Sequence, residues 1–480
     1  LTVGCGQDGI LGNLAPVWKS KYGRLNRMQR FLGRFAGTVL ALSVLLSGCA
    51  GTGSKSPQTE SPPAASPAPS KTTQTPETPK EPVEIVFWDM VWGPPAYVEA
   101  ANKLTEEFNR THPHIHVTYQ STPWDNYLQT FVTAVNSGTA PDVSTGGGFQ
   151  QHQLAAMGAI APLDSIIEEW RNEGTLDDFL PGILEPITWE GYQIGIPWQV
   201  GAHVFYYRKD ILEENGIPVP QTLADFDAAG AKLKEKGIAL FSFSAGDMIG
   251  AHIMINLMLI NGGRLFYDDM SPATLDPKNM EVYNLVADWV KKGYILEGSP
   301  GYNMETAARA FFNGQAAFLP HADRLPLSYA KDQPEVLDKI GIMPMPRGLD
   351  GQRYPSLRFV NSIMVYSQSK HLEEAKEFVK WWSENQLSLF TEGEIGALPV
   401  RKSFLADPFF DDWAVKFLTD EILPNTVGYN AGYPTFFPEA GVLEGSMVYK
   451  DLLQNLLLGK SPEEAANQAH NDLKQQTNLP

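Results

Sequence analysis

Two cysteines in 480 residues, Cys5 and Cys49, leave no room for a disulfide framework or a cysteine-rich metal site. No GxSxG, HExxH, CxxC or EF-hand pattern occurs. The triple glycine at 146–148 lacks the Lys-Ser/Thr that completes a phosphate loop. No motif therefore demands catalysis, and no cofactor is expected. The apolar run from Phe35 to Leu46 is about half of what a membrane-spanning helix needs. Basic charge is also scarce. The formal net charge is −18, and since residues 1–48 carry a net +5, the rest of the chain carries −23. So acidic a body repels phosphate backbones and anionic headgroups, which argues against a nucleic-acid partner. At this length, two domains or lobes are the expectation.

What is present begins with Arg27, Arg30 and Arg34 ahead of the short apolar run, the layout of a signal peptide over residues 1–48. Met28 is the first methionine. A compact signal peptide starts there, so residues 1–27 read as an over-extended gene start. The stretch Leu46-Ser47-Gly48-Cys49 resembles the lipobox of bacterial lipoproteins, in which the cysteine is acylated and becomes the first mature residue. An ordinary cleavage site that contains cysteine is the alternative. Residues 50–82 hold no aromatic or large aliphatic side chain that can join a core. With Cys49 they read as a lipidated, disordered tether over 49–82, which polyproline stiffness extends to roughly 50–100 Å.

Order is expected from "VEIVFWDM" (83–90), a β-branched and aromatic strand. A helix at 97–110 with Tyr97, Ala101, Leu104 and Phe108 on one face follows, then a strand at 115–120, a helix at 126–138 and a strand at 141–145. This is the grammar of a doubly wound α/β sheet, in which ligands bind beyond the carboxyl ends of the strands. Further on, strands are expected at 203–210, 340–346 and 361–369. Helices are expected at 222–237, opened by Thr222 and Asp225, at 280–293, ended by Gly293, at 372–385, and at 461–474, opened by Ser461 and Glu464.

The segment "TWEGYQIGIPWQVGAHVFYYRKDILEENGI" (188–217) resembles the family 1 extracellular solute-binding proteins of bacterial ABC importers, to which maltose-binding protein belongs. Collinear matches are "APDV" (140–143), "GAIAPLDSII" (158–167), "AFFNGQAAF" (310–318), "GIMPMPRG" (341–348), "EEAKEFVKWW" (373–382) and "GALPVRKS" (396–403). The resemblance implies a two-lobed, type II-like periplasmic-binding-protein fold, each lobe a doubly wound sheet flanked by helices, the lobes joined by hinge strands. Lobe 1 would hold 83–198 with 345–395, and lobe 2 would hold 199–344 with 396–480. It also implies a monomeric, membrane-anchored, extracytoplasmic receptor that closes on a sugar or oligosaccharide and delivers it to an ABC permease.

A sugar site needs aromatic faces for the apolar side of a pyranose and planar polar groups for its hydroxyls. By position in the family, Trp92, Gly147, Phe149 and Gln150 line the cleft. Trp198, flanked by Gln199 and His203, is a cleft residue or an aromatic of the hinge core. Asp247 and Asp323 are hydroxyl acceptors or solvated carboxylates. Relatives often carry Gly-x-Trp where this chain has His321-Ala322-Asp323, which exchanges a stacking face for polar groups. Arg358 and Asn361 reach toward the cleft from lobe 1, and Tyr433 and Phe436 belong to an aromatic-rich cleft loop or pack within it. His112, His114 and His116 alternate like a strand edge able to hold zinc, yet fall where the family varies, so no metal is expected. Two other functions remain open: a surface glycosidase using Asp247 and Asp323, and the same receptor for a phosphorylated polyol, with Arg358 as its cation.

Overall fold

Alternating and helically spaced apolar residues build a β-α-β-α-β run: β1 (Val83–Met90), α1 (Pro95–Thr111), β2 (Ile115–Thr122), α2 (Tyr127–Ser137) and β3 (Val143–Gly146). The computed structural model describes residues 81–124, 127–330, 333–428, 441, 443 and 447–477. They belong to one unit, 78–480. Cys49, Tyr433 and Phe436 lie outside the described residues. β1 pairs in parallel with β2, from Val83 opposite Ile115 to Met90 opposite Thr122, and with β3 through Phe87 opposite Val143. The order β2-β1-β3 reverses the winding between β1 and β3, so the loops after all three strands leave from one edge. α1 buries Tyr97, Ala101, Leu104 and Phe108, the expected face.

The chain continues through α3 (Gln150–Ala156), β4 (Ile196–Arg208), α4 (Asp225–Glu235), β5 (Ala239–Phe241), α5 (Ile249–Ile260), α6 (Pro277–Lys292), β6 (Ala316–Ala322), β7 (Ile340–Met343) and β8 (Ser356–Val365). It ends with α7 (Leu372–Asn385), β9 (Leu398–Pro399), β10 (Thr426–Val427), α8 (Val448–Leu457) and α9 (Pro462–Thr477). Among the described residues the main sheet runs β2-β1-β3-β8-β4-β6-β5, with β7 and β9 also on β4 and β10 on β8.

β4 starts seven residues before the strand expected at 203–210 and is buried along almost its whole length. Both faces are covered, so the sequence shows a continuous apolar run with no period to mark its start. Its first half, Ile196–Ala202, pairs antiparallel with β8, and its second half, from His203, pairs antiparallel with β6. One strand thus ties two packed assemblies. Phe87, Phe108, Phe378 and Trp382 interlock on one side, and Phe226, Phe241, Trp289 and Phe318 on the other.

Local signals act as their chemistry demands. Ser461 Oγ accepts the Glu464 amide at 3.3 Å and donates to the Glu464 carboxylate at 2.6 Å, capping α9. Asp225 accepts the Gln221 and Thr222 amides at the start of α4. Gly293 ends α6 at φ 68°. His112 stacks on Phe108 with centroids 4.2 Å apart, and His114 Nε2 sits 3.2 Å from Glu377 Oε1. Among the described residues no three metal-ligating side chains converge. Likewise, no described helix is long and apolar enough to cross a membrane.

Candidate ligand-binding site at the strand crossover

The shared edge of β1, β2 and β3 places three loops together. Trp92 follows β1, Trp124 follows β2 and Gly147 follows β3. The Trp92 and Trp124 rings meet edge to face at 4.8 Å, and Trp92 meets Trp198, on β4, the same way at 5.5 Å. Trp92 and Trp124 keep part of their surface open, whereas Trp198 is fully buried and also abuts Phe390 at 5.9 Å. Each indole N–H of the open pair is anchored. Trp92 Nε1 donates to Thr145 Oγ1 at 3.0 Å, and Trp124 Nε1 donates to the Val91 carbonyl at 2.6 Å. Of this pair Trp124 lies beside Gly147, where an added Cβ would meet Trp124 and Tyr127 only at ordinary contact distance. Sequence reasoning missed Trp124, although its place just past β2 is the same signal that points to Trp92.

Behind Trp198 the crossover becomes polar. Gln199 is buried, and its Nε2 has no hydrogen-bond partner among the described residues. It sits opposite Asn361, where a bulge breaks the β4–β8 register. His203 is 1% exposed, and neither ring nitrogen has a partner among the described residues. Its ring meets His252 of α5 at 4.9 Å and Phe359 of β8 at 5.9 Å. Burial, helped by the nearby His252 and His321, holds His203 well below the usual imidazole range. Neutral imidazole both donates and accepts, which suits a hydroxyl.

The bacterial extracellular solute-binding protein profile matches residues 94–387, more than half of the chain. The chain belongs to this family. A solved sugar transporter of Arthrobacter chlorophenolicus with bound laminaribiose is 32% identical, at TM-score 0.75, over 82% of this chain and 99% of that one. The arabinooligosaccharide-binding protein of Halalkalibacterium halodurans is 24% identical over 312 residues, 62% of this chain and 66% of its own. Maltose-bound MalE3 of T. maritima shares the fold at TM-score 0.68 and 23% identity, over 82% of this chain and 100% of that one.

In this solute-binding protein the remaining candidates fall into distinct environments. Phe149 is completely buried at the start of α3, with Gly441 packed against it, and offers no open face. Gln150 is buried against Gly146, where any side chain would collide with its amide and with Met364. Asp247 is not a solvated carboxylate: its oxygens accept the Ile249 and Met304 amides at 3.0 and 2.7 Å, tying the start of α5 to the first residue of the helix Met304–Phe312. Asp323 is not solvated either. It is buried at φ 47° and accepts the Ala202 amide at 2.6 Å. His321 is buried on β6, its Nδ1 accepting the Ala322 amide, and burial pulls it down to about 4. Arg358 is half-buried opposite Ala202, and burial alone is what depresses its pKa. His252 and Phe359 were not legible as site residues, because His252 lies in a helix that is apolar on every side.

Proposed function

We propose that this solute-binding protein is the lipid-anchored receptor of an ABC importer, that its ligand is a neutral sugar or short oligosaccharide, and that the ligand lies where β4 crosses between two lobes. The lobes are assigned as 83–198 with 345–395, and 199–344 with 396–480. The observation that carries this reading is the pairing of an anchored, partly open Trp92–Trp124 wall with the Gln199 Nε2 and the His203 imidazole, which have no partner among the described residues. Aromatic faces take the C–H side of a pyranose, and orphaned polar groups gain hydrogen bonds that water-free burial otherwise denies them. The laminaribiose-bound relative supports a disaccharide as the first ligand to try. Ligand contacts from both lobes would favour the closed state, the differential affinity that drives population shift.

The glycosidase reading loses its acids. Both Asp247 oxygens and one Asp323 oxygen already accept backbone N–H bonds. The phosphorylated-polyol reading keeps one observation in its favour, the half-buried Arg358 with no ion-pair partner among the described residues. Native mass spectrometry of the protein purified from its own cells tests these readings together. A co-purifying neutral saccharide supports the proposal, and a phosphorylated ligand overturns it in favour of the polyol. In the same cells Cys49→Ala should move the protein from the membrane to the soluble fraction. An unchanged distribution would remove the lipid anchor.

A further inference from the structure

Asp89 is the penultimate residue of β1 and has no exposed surface, yet no cation pairs with it among the described residues. Three hydroxyls converge on it instead. Tyr97 of α1 and Tyr119 of β2 donate to Oδ2 at 2.6 and 3.2 Å, and Thr145 of β3 donates to Oδ1 at 2.6 Å. Thr145 is equally buried, and its oxygen accepts two N–H groups, the Met90 amide at 2.9 Å and the Trp92 indole at 3.0 Å. A hydroxyl has one proton and two lone pairs, so Thr145 is used to capacity.

We propose that Asp89 is the positioning residue for the cleft tryptophan: its carboxylate commits the Thr145 proton, and the Thr145 oxygen then holds the Trp92 indole at a fixed depth and plane. This rests on the reading that Trp92 meets the sugar. Two features single out a carboxylate. Its oxygens must accept on both sides, from the tyrosines and from Thr145. An amide accepts on one side only: with its oxygen toward the tyrosines its N–H₂ meets the saturated Thr145 oxygen, and with its oxygen toward Thr145 both tyrosine hydroxyls must turn away to accept its N–H₂. Protonation acts in the same direction, because a neutral carboxyl accepts the Thr145 hydroxyl less strongly than the carboxylate does. Burial lifts this carboxyl to about 7, and the groups facing it from the packed elements are Tyr97, Tyr119 and Thr145. Sugar binding is therefore expected to weaken as pH falls through neutrality.

The test uses the mature protein labelled with 5-fluorotryptophan, with Trp92→Phe to assign the Trp92 resonance. Fluorine NMR is recorded without ligand, and affinity is measured calorimetrically with laminaribiose. Thr145→Val should shift and broaden the Trp92 signal, weaken laminaribiose binding by roughly 5–20-fold and abolish its pH dependence near 7. Thr145→Ser should restore all three. In a Trp92→Phe background Thr145→Val should cost little more. Asp89→Asn should shift the Trp92 signal in the same direction and remove the pH dependence of binding near 7, and an unmoved Trp92 signal in this variant would overturn the proposal. An unmoved Trp92 signal in Thr145→Val, or an equal loss of affinity in the Trp92→Phe background, overturns the proposal. If wild-type protein ignores laminaribiose, the disaccharide reading fails, and the ligand-free Trp92 signal of Asp89→Asn still decides the role of Asp89.

Discussion

Asp323 accepts the Ala202 amide at 2.6 Å and returns its own amide to the Ala202 carbonyl at 2.9 Å, at the residue where β4 leaves β8 for β6. The crossover is thus clasped by one residue held at positive φ, a conformation that costs a β-carbon-bearing residue free energy. Asp323→Ala would leave the Ala202 amide buried without a partner while keeping the backbone strain. It should cost about 1–3 kcal/mol in urea unfolding, and Asp323→Asn, which keeps an acceptor and tolerates this φ, should cost less. Equal stabilities would show that the clasp contributes nothing.

Gly201 sits beside this clasp. A Cβ there would come within 2.3 Å of Phe359 Cε2 and 2.4 Å of Asp323 Oδ2. Gly201→Ala should therefore destabilise the protein by about 1–3 kcal/mol, read as a lowered melting temperature. Gly158, with nothing within 4 Å but φ 73°, serves as the control: substitution there should show backbone strain without collision. A Gly201→Ala variant that melts like wild type would contradict the packing.

Two buried groups give opposite pH slopes. His321 is lowered to about 4 from 6.5, so its unfolded form binds a proton that the folded form refuses. Its contribution is complete above 6.5 and is lost as pH falls toward 4. Asp323 is raised to about 8 from 3.8, so the folded form binds the extra proton, and its cost grows as pH rises from about 4 to 8. Relative to wild type, His321→Gln should gain stability on going from pH 7 to 4.5. Asp323→Asn should gain on going from pH 4.5 to 8. Urea titrations at these three pH values check both, and parallel curves for variant and wild type would refute the assignment.

The first βαβαβ unit was legible because β1, β2, α1 and α2 each bury one face and therefore show a period, while β3, buried throughout, is short and follows directly on them. The Tyr97–Ala101–Leu104–Phe108 stripe fell where α1 buries it. α5 was not legible, since all twelve of its residues are buried and no period survives. The length of β4 escaped for the same reason. The position of Trp92 and Gly147 just beyond the carboxyl ends of β1 and β3 was legible from the strand pattern. The Asp89–Thr145 link could not, because it joins side chains 56 residues apart whose meeting depends on the register of β1 with β3. Whether Asp247 and Asp323 were hydroxyl acceptors or solvated acids was not legible, because a sequence does not reveal which backbone amides a carboxylate will find.

If the Trp92–Trp124 wall and the polar groups of β4 that lack partners among the described residues form a sugar site, saccharide affinity must depend on Trp92. Calorimetric titration of wild type and Trp92→Ala with laminaribiose, maltose, an arabino-oligosaccharide and glycerol 3-phosphate measures that dependence. At least one neutral saccharide should bind wild type at micromolar Kd or tighter, about −8 kcal/mol, and at least tenfold more weakly when Trp92 is replaced. Tight binding of glycerol 3-phosphate alone, or saccharide binding indifferent to Trp92, would contradict a sugar site there.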